Sequence, residues 1–270
     1  MSTVAEIAED DARMLLKIML MGNDFDLTGL FNAQMYIPQY NPVSLGDWEL
    51  KYQSDLPKSG YFNGPRIMGR EIPVLRKDGT IWMSVLPMEC ESHLPHTCRS
   101  GDMLVYGLGL GYVIYNMYYN HRSHSITVVE RDQEVIDLFY KAIEGIEAWE
   151  WVMDEVEIIC ADAFYVDLPK VHYDHVYVDI WEHMFPKRAV SDVQKICKRL
   201  HSFDTVSWWT MEADVIEWAR RSSIKPDELN GSSWLAMGDD NNLPVQFWDG
   251  FDYDTYIEWS MEALLNQVIK

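Results

Sequence analysis

Asp179, Glu182 and His183 follow the apolar run Val176-Tyr-Val178, so two carboxylates and an imidazole cluster at the end of a strand-like segment. Such groups can take a proton from a nucleophile or hold a cationic amine, and open α/β sheets do their chemistry at the carboxyl edge. Asp179 is the leading candidate for proton transfer. Glu182 offers a second anionic contact and His183 a base, although a helix-start acid and a surface histidine carry the same signature. Upstream, Leu104-Val-Tyr-Gly107-Leu-Gly109-Leu-Gly111-Tyr112 is followed by Val128-Val-Glu130. This order of buried strand, glycine turn, helix, second strand and strand-tip acid binds an adenosine moiety in doubly wound folds. A dinucleotide fingerprint starting at Gly107 places its last glycine at position 112, where this chain has Tyr112; NAD is therefore disfavoured.

The elements that must position these groups can be read from hydrophobic patterning. Strands are expected at 103–106, 125–130, 156–160, 175–180 and 205–210, with helices near 111–120, 132–144, 185–200 and 212–222 between them. Five strands alternating with helices predict an α/β, Rossmann-like, doubly wound and mainly parallel sheet. Residues 1–98 form a separate N-terminal part: an amphipathic helix over 3–20, a largely irregular stretch over 23–70 with room for short strands, and a hairpin around Asp78-Gly79. A short helical segment, 88–98, leads into the cofactor-binding domain, 99–224. Residues 225–270 read as a C-terminal extension, turn-rich over 225–254 and closing with a helix over 255–268.

Composition narrows the function. The 270 residues carry 22 Lys plus Arg against 43 Asp plus Glu, a net charge of −21. A field of that sign repels phosphate backbones, which disfavours duplex nucleic acid and suits a cationic or neutral small acceptor or a basic protein partner. Lys187, Arg188, Lys195, Lys198 and Arg199 could line one basic helix face and read as a solvated surface. The absence of a long apolar run and of a secretion-type N-terminus predicts a cytoplasmic chain with no membrane contact, and homo-oligomerisation stays open. Cys90, His93, His96 and Cys98 lack the paired ligand spacing of structural zinc, and neither His121/His124 nor His172/His175 has an evident third ligand, so no metal site is expected. Of the many C-terminal tryptophans, Trp181 is the one placed to face an acceptor; the others read as packing.

The alternating Gly107, Gly109, Gly111 resembles motif I of class I S-adenosylmethionine-dependent transferases. The resemblance implies that the turn cradles the methionine part, that Glu130 holds the ribose hydroxyls, and that Asp162 and the Ala163 amide meet adenine. Within that superfamily the order Asp78-Gly-Thr-Ile-Trp82, Met88-Glu89 to His93-Leu-Pro95, Val105-Tyr106 before the turn, and Asp179-Ile-Trp-Glu182 is similar to the spermidine synthase branch. It adds Glu89 and His93 to the cofactor-binding set. Trp82 replaces that branch's glutamine, Leu108 and Leu110 replace its Gly and Asp, and the Ser/Thr-Pro frame around the fourth-strand acids is missing. The pattern also resembles phage-encoded class I methyltransferase-like proteins. The implied function is methyl transfer from S-adenosylmethionine to a small-molecule or protein acceptor. Aminopropyl transfer from the decarboxylated donor to a polyamine, or a degenerate nucleoside-binding interaction protein, are the alternatives.

Overall fold

The chain, seen here as a computed structural model, is described over residues 35–54, 60–61, 71–121, 125–246 and 252–268. The helix expected over 3–20, His124 and Trp248 lie outside them. Two sheets organise the rest. The first is antiparallel, in the order β1 (Val43–Leu45), β2 (Trp48–Gln53), β3 (Ile72–Lys77), β4 (Thr80–Ser84). Asp78 and Gly79 both have left-handed φ, 49° and 76°, the paired positive angles of a tight two-residue hairpin turn. The stretch read as largely irregular, with room for short strands, thus supplies two ordered strands: β1 pairs with β2, and the pairing of β2 with β3 depends on partners about 20 residues or more downstream rather than on local periodicity.

Helix α1 (Pro87–His93) and a 3-10 turn (Leu94–His96) then lead to the second sheet. Its strands are β5 (Asp102–Tyr106), β6 (Ser125–Glu130), β7 (Val156–Cys160), β8 (His172–Val178) and β9 (Ser202–Trp208), in the spatial order β7-β6-β5-β8-β9. Every pairing is parallel. The runs Met103–Tyr106, Ile126–Val129 and His175–Val178 are buried almost throughout, as strands covered by helices on both faces must be. The chain leaves β5 in one direction through β6 and β7 and returns through β8 and β9, so the switch point lies between β5 and β8.

Helices α2 (Tyr112–His121), α3 (Gln133–Ile143), α4 (Glu147–Met153) and α5 (Ala189–Cys197) connect the strands, and α6 (Met211–Arg221) follows β9. α3 shows how the sequence writes such a helix. Val135, Ile136, Leu138, Phe139, Ala142 and Ile143 form its buried stripe, and the Asp132 carboxylate caps it by accepting the Glu134 N–H at 3.0 Å. α4 was not expected, and neither was α7 (Gly231–Asp240), which occupies part of the segment read as turns. α7 contains two glycines and two serines, weak helix formers, and is started by a capping box between Asn230 and Ser233. α8 (Tyr253–Val268) closes the chain. Among the described residues no helix is long and apolar enough to cross a membrane.

The segment before β1 is tied to the glycine turn and α4 by specific bonds. Tyr40 donates its hydroxyl to the Leu110 carbonyl at 2.6 Å, and Trp149 donates its indole N–H to the Gln39 carbonyl at 2.9 Å. Beneath them Gly111 has φ +71°, and a Cβ there would lie 2.7 Å from Phe139 Cε2 and 3.0 Å from Trp149 Cη2. Those rings pack edge to face, 5.2 Å apart, and have no room to yield. Gly111→Ala is expected to cost about 2–4 kcal/mol through strain and overpacking together. The check is a lower urea midpoint at unchanged slope.

Candidate active site

At the switch point a cavity of about 380 Å³ opens along the carboxyl ends of β5, β6, β7 and β8. Gly107, the first residue after β5, has φ +98°, and a Cβ on it would run into the Asp179 carbonyl oxygen. The absence of a side chain lets the tips of β5 and β8 touch, with the Asp179 N–H donating to the Tyr106 carbonyl at 2.8 Å. The turn is held from the neighbouring strand as well. Glu130 accepts the Leu108 N–H at 3.0 Å with one oxygen and the Asp132 N–H at 2.9 Å with the other. From above, Met83 of β4 lays its sulfur against the turn and accepts the Leu110 N–H at 3.3 Å. The glycine turn is therefore clamped between a carboxylate and a thioether.

The floor beside Gly107 is acidic. Asp179 lies one residue beyond β8 and keeps 22 % of its side chain exposed, toward the cavity it lines. Burial first, then the charges of Glu89 and Glu130, pushes its carboxyl up to about 8. Glu89 of α1 accepts from the Ser84 N–H at 3.1 Å and the Ser84 hydroxyl at 3.0 Å; burial outweighs both bonds and pushes it up to about 7. His93, one helical turn after Glu89, is buried on the same wall. Its Nδ1 is 2.8 Å from the Tyr177 hydroxyl and its Nε2 is 3.8 Å from Asp179 Oδ2. The ring stacks on Trp209 at 5.5 Å and 14°, and burial pushes its imidazole down to about 3, so it is neutral.

Most residues expected at the site converge on this cavity: Gly107, Gly109, Glu130, Asp162, Ala163, Glu89, His93, Asp179, Glu182 and His183 all line it. Asp162 also accepts the Phe164 N–H at 2.8 Å, which fixes its rotamer. Glu182 and His183 sit at the exposed rim, where Glu182 pairs with Arg131 at 3.9 Å. Gly111 is the exception. It is not among the residues that line the cavity and packs beside Phe139 and Trp149 in the core. Tyr112, at the position where a dinucleotide site needs glycine, is buried and packs on His93 at 6.0 Å.

Trp181 lines the cavity and donates its indole N–H to Asp192 at 3.2 Å. Asp192 also pairs with Arg188 at 3.2 Å and Lys195 at 3.1 Å, while Arg199 donates to the Tyr165 and Val166 carbonyls, so much of the basic helix face is engaged within the protein. Cys90, His93, His96 and Cys98 are all buried; Cys98 donates to Leu94 O at 3.3 Å and His96 stacks on Tyr177 at 5.1 Å. The His172/His175 pair is split. His175 is buried between Thr205 and Ser207, whereas exposed His172 lies at ligand spacing from Asp174 and Asp204 at the opposite end of the sheet.

The sequence reading missed the roof. Trp48 and Lys77, from the antiparallel sheet, line the cavity opposite Asp179's strand, with the Lys77 ammonium 4.7 Å over the Trp48 ring and 3.7 Å from Asp132. Trp82 closes the corner edge-on to Trp48 at 5.5 Å, and the buried Trp48 indole N–H has no hydrogen-bond partner among the described residues. Nothing local in the sequence signals these contacts, because they join residues about 30 to 55 positions apart through sheet packing.

No family model matches the chain, and no curated protein does. Similar solved structures include M. capricolum TrmK in complex with S-adenosyl-homocysteine, at TM-score 0.32 and 12% identity over 45% of this chain and 51% of that one. An S-adenosylmethionine dependent methyltransferase from Mesorhizobium loti aligns at TM-score 0.29 and 12% identity, over 40% and 49% of the two chains. The Aureusimine biosynthetic cluster reductase domain aligns at TM-score 0.32 and 21% identity, over 41% and 33%. The chain thus spans about half or less of the length of these proteins.

Proposed function

We propose that this protein transfers a methyl group from S-adenosylmethionine to an acceptor that is a small molecule or a protein side chain. The observation that carries the reading is Glu130. Its two oxygens are already oriented by the Leu108 and Asp132 amides, which uses two of roughly four acceptor directions and leaves the others for a pair of ribose hydroxyls. A carboxylate fixed in this way beside a glycine turn is a diol receptor. Asp162 and Ala163, on the next strand tip, fit the base, and the acidic floor formed by Glu89 and Asp179 suits a positively charged centre.

When bound, the donor supplies a methyl group activated on a sulfonium. The residues need only align the acceptor in line with that carbon and remove its proton as the new bond forms. Asp179 is the proton acceptor, at the floor and adjacent to the turn. Glu182 and His183, at the rim, guide the acceptor in. Trp181 and Trp209 wall the same side.

Calorimetric titration tests the reading with S-adenosylmethionine, its decarboxylated form and NAD. Saturable micromolar binding of the carboxylated donor, with the other two at least about tenfold weaker (a difference of about 1.4 kcal/mol), is the expected result. Preference for the decarboxylated donor would replace methyl by aminopropyl transfer, and binding of NAD alone would overturn the proposal.

A further inference from the structure

One imidazole touches two functional positions of the same strand. Tyr177 is the penultimate residue of β8, and Asp179 follows its end; His93 meets the hydroxyl of the first through Nδ1 at 2.8 Å and faces the carboxylate of the second through Nε2 at 3.8 Å. The ring cannot turn away. Trp209 stacks on one face, Tyr112 and Tyr177 pack against it, and Trp209 is itself pinned by donating to Ser92 Oγ at 2.8 Å. A neutral imidazole carries one proton, so when Asp179 is ionised the hydrogen must sit on Nε2, where it faces the negative charge, and the bare Nδ1 accepts from Tyr177. The opposite tautomer would aim a lone pair at a carboxylate.

We infer that His93 is a positioning residue for Asp179: locked by Tyr177, it directs Nε2–H at the carboxylate and favours the ionised form that can accept the acceptor's proton. The 3.8 Å separation is longer than a hydrogen bond, so the effect is that of an oriented N–H dipole in a poorly solvated wall. The charged and titratable groups around it act in the other direction. Glu89 from α1 and Glu130 from β6 both disfavour charge on Asp179, and Glu212 from α6 acts on Tyr177. His93 is the neutral donor that offsets them. Its role in turnover rests on the reading of Asp179 as proton acceptor; its effect on the carboxylate does not.

The test is the titration of Asp179 followed by carbon-13 NMR of protein labelled at the aspartate carboxyl, the resonance being the one missing from Asp179→Asn. His93→Phe keeps the stack on Trp209 and removes both nitrogens, and pairing it with Tyr177→Phe spares the fold an orphaned hydroxyl. The Asp179 midpoint is expected to rise by about one pH unit in His93→Phe and in the double variant. His93→Gln, which can present an amide N–H toward Asp179, restores part of the loss. An unmoved midpoint in folded His93→Phe/Tyr177→Phe, or no recovery in His93→Gln, overturns the inference. Calorimetry with S-adenosylmethionine on the same samples separates the two ideas. Failure of the wild type to bind donor would sink the functional reading while leaving the midpoint shifts to decide the role of His93.

Discussion

Asp179→Asn is expected to unfold at a higher temperature than the wild type at pH 8 while transferring methyl groups at least about 10²-fold more slowly. Both effects come from one cause. The folded protein holds the Asp179 carboxyl at about 8, mainly by burial and secondarily by Glu89 and Glu130, whereas the unfolded chain releases that proton near pH 4. Between those limits the folded state binds a proton that the unfolded state has lost. Stability contributed by this group is therefore full below about pH 4 and declines as pH rises toward 8. Glu89, raised to about 7, adds to the same slope. The amide removes the Asp179 share. With the partial exposure of that side chain moderating the cost, the gain at pH 8 is about 2 kcal/mol, or about 5 °C in midpoint temperature for a chain of this size. At pH 4 wild type and variant should melt together. Thermal unfolding at the two pH values reads the first effect, and transfer of labelled methyl to any acceptor that the wild type modifies reads the second. A variant less stable at pH 8, or one with undiminished transfer, would remove Asp179 from its assigned role. A site residue whose removal stabilises the fold is one held against its own preference for function.

How much of this could be read beforehand depended on where each residue's partners lie. Strands β6 and β7 matched their expected bounds because Ile126–Val129 and Val156–Ile159 are short runs rich in β-branched residues between clear breakers. That Glu130, Asp162 and Asp179 would share one cavity was legible for the same reason: each stands at or just past the end of such a run, and a parallel sheet brings strand ends together. That Gly111 lies off the cavity, packed beside Phe139 and Trp149, was not legible, because spacing alone cannot say whether a glycine faces a cavity or a neighbouring helix. Trp48, Lys77 and Met83 were invisible because their role arises when the antiparallel sheet packs over the turn. α7 was hidden by Gly231, Ser232, Ser233 and Gly238. Tertiary contact outweighs propensity there, with Trp234 packed against Tyr253 and Tyr256.

Glu130→Ala should abolish measurable donor binding, and the size of the loss distinguishes ligand contact from scaffolding. Two charge-assisted hydrogen bonds to a diol, at about 1.5–3 kcal/mol each, predict a fall in affinity of at least about 10²-fold. Yet the carboxylate also holds the Leu108 and Asp132 amides, so the alanine variant frees the glycine turn and the cap of α3 as well. Glu130→Gln separates these roles. Its amide oxygen can keep one backbone N–H, but its NH₂ meets the second amide donor and any ribose hydroxyl without the anionic acceptor that both require. Glu130→Gln is therefore expected to retain most of its thermal stability and still lose at least about tenfold in donor affinity. Calorimetry paired with thermal unfolding checks both. If Glu130→Gln bound donor as tightly as the wild type, Glu130 would be a strut for the turn alone. The diol receptor would then have to be sought elsewhere in the same cavity, where Asp132 lies two residues after Glu130 and the roof presents the Trp48 indole N–H, which has no partner among the described residues.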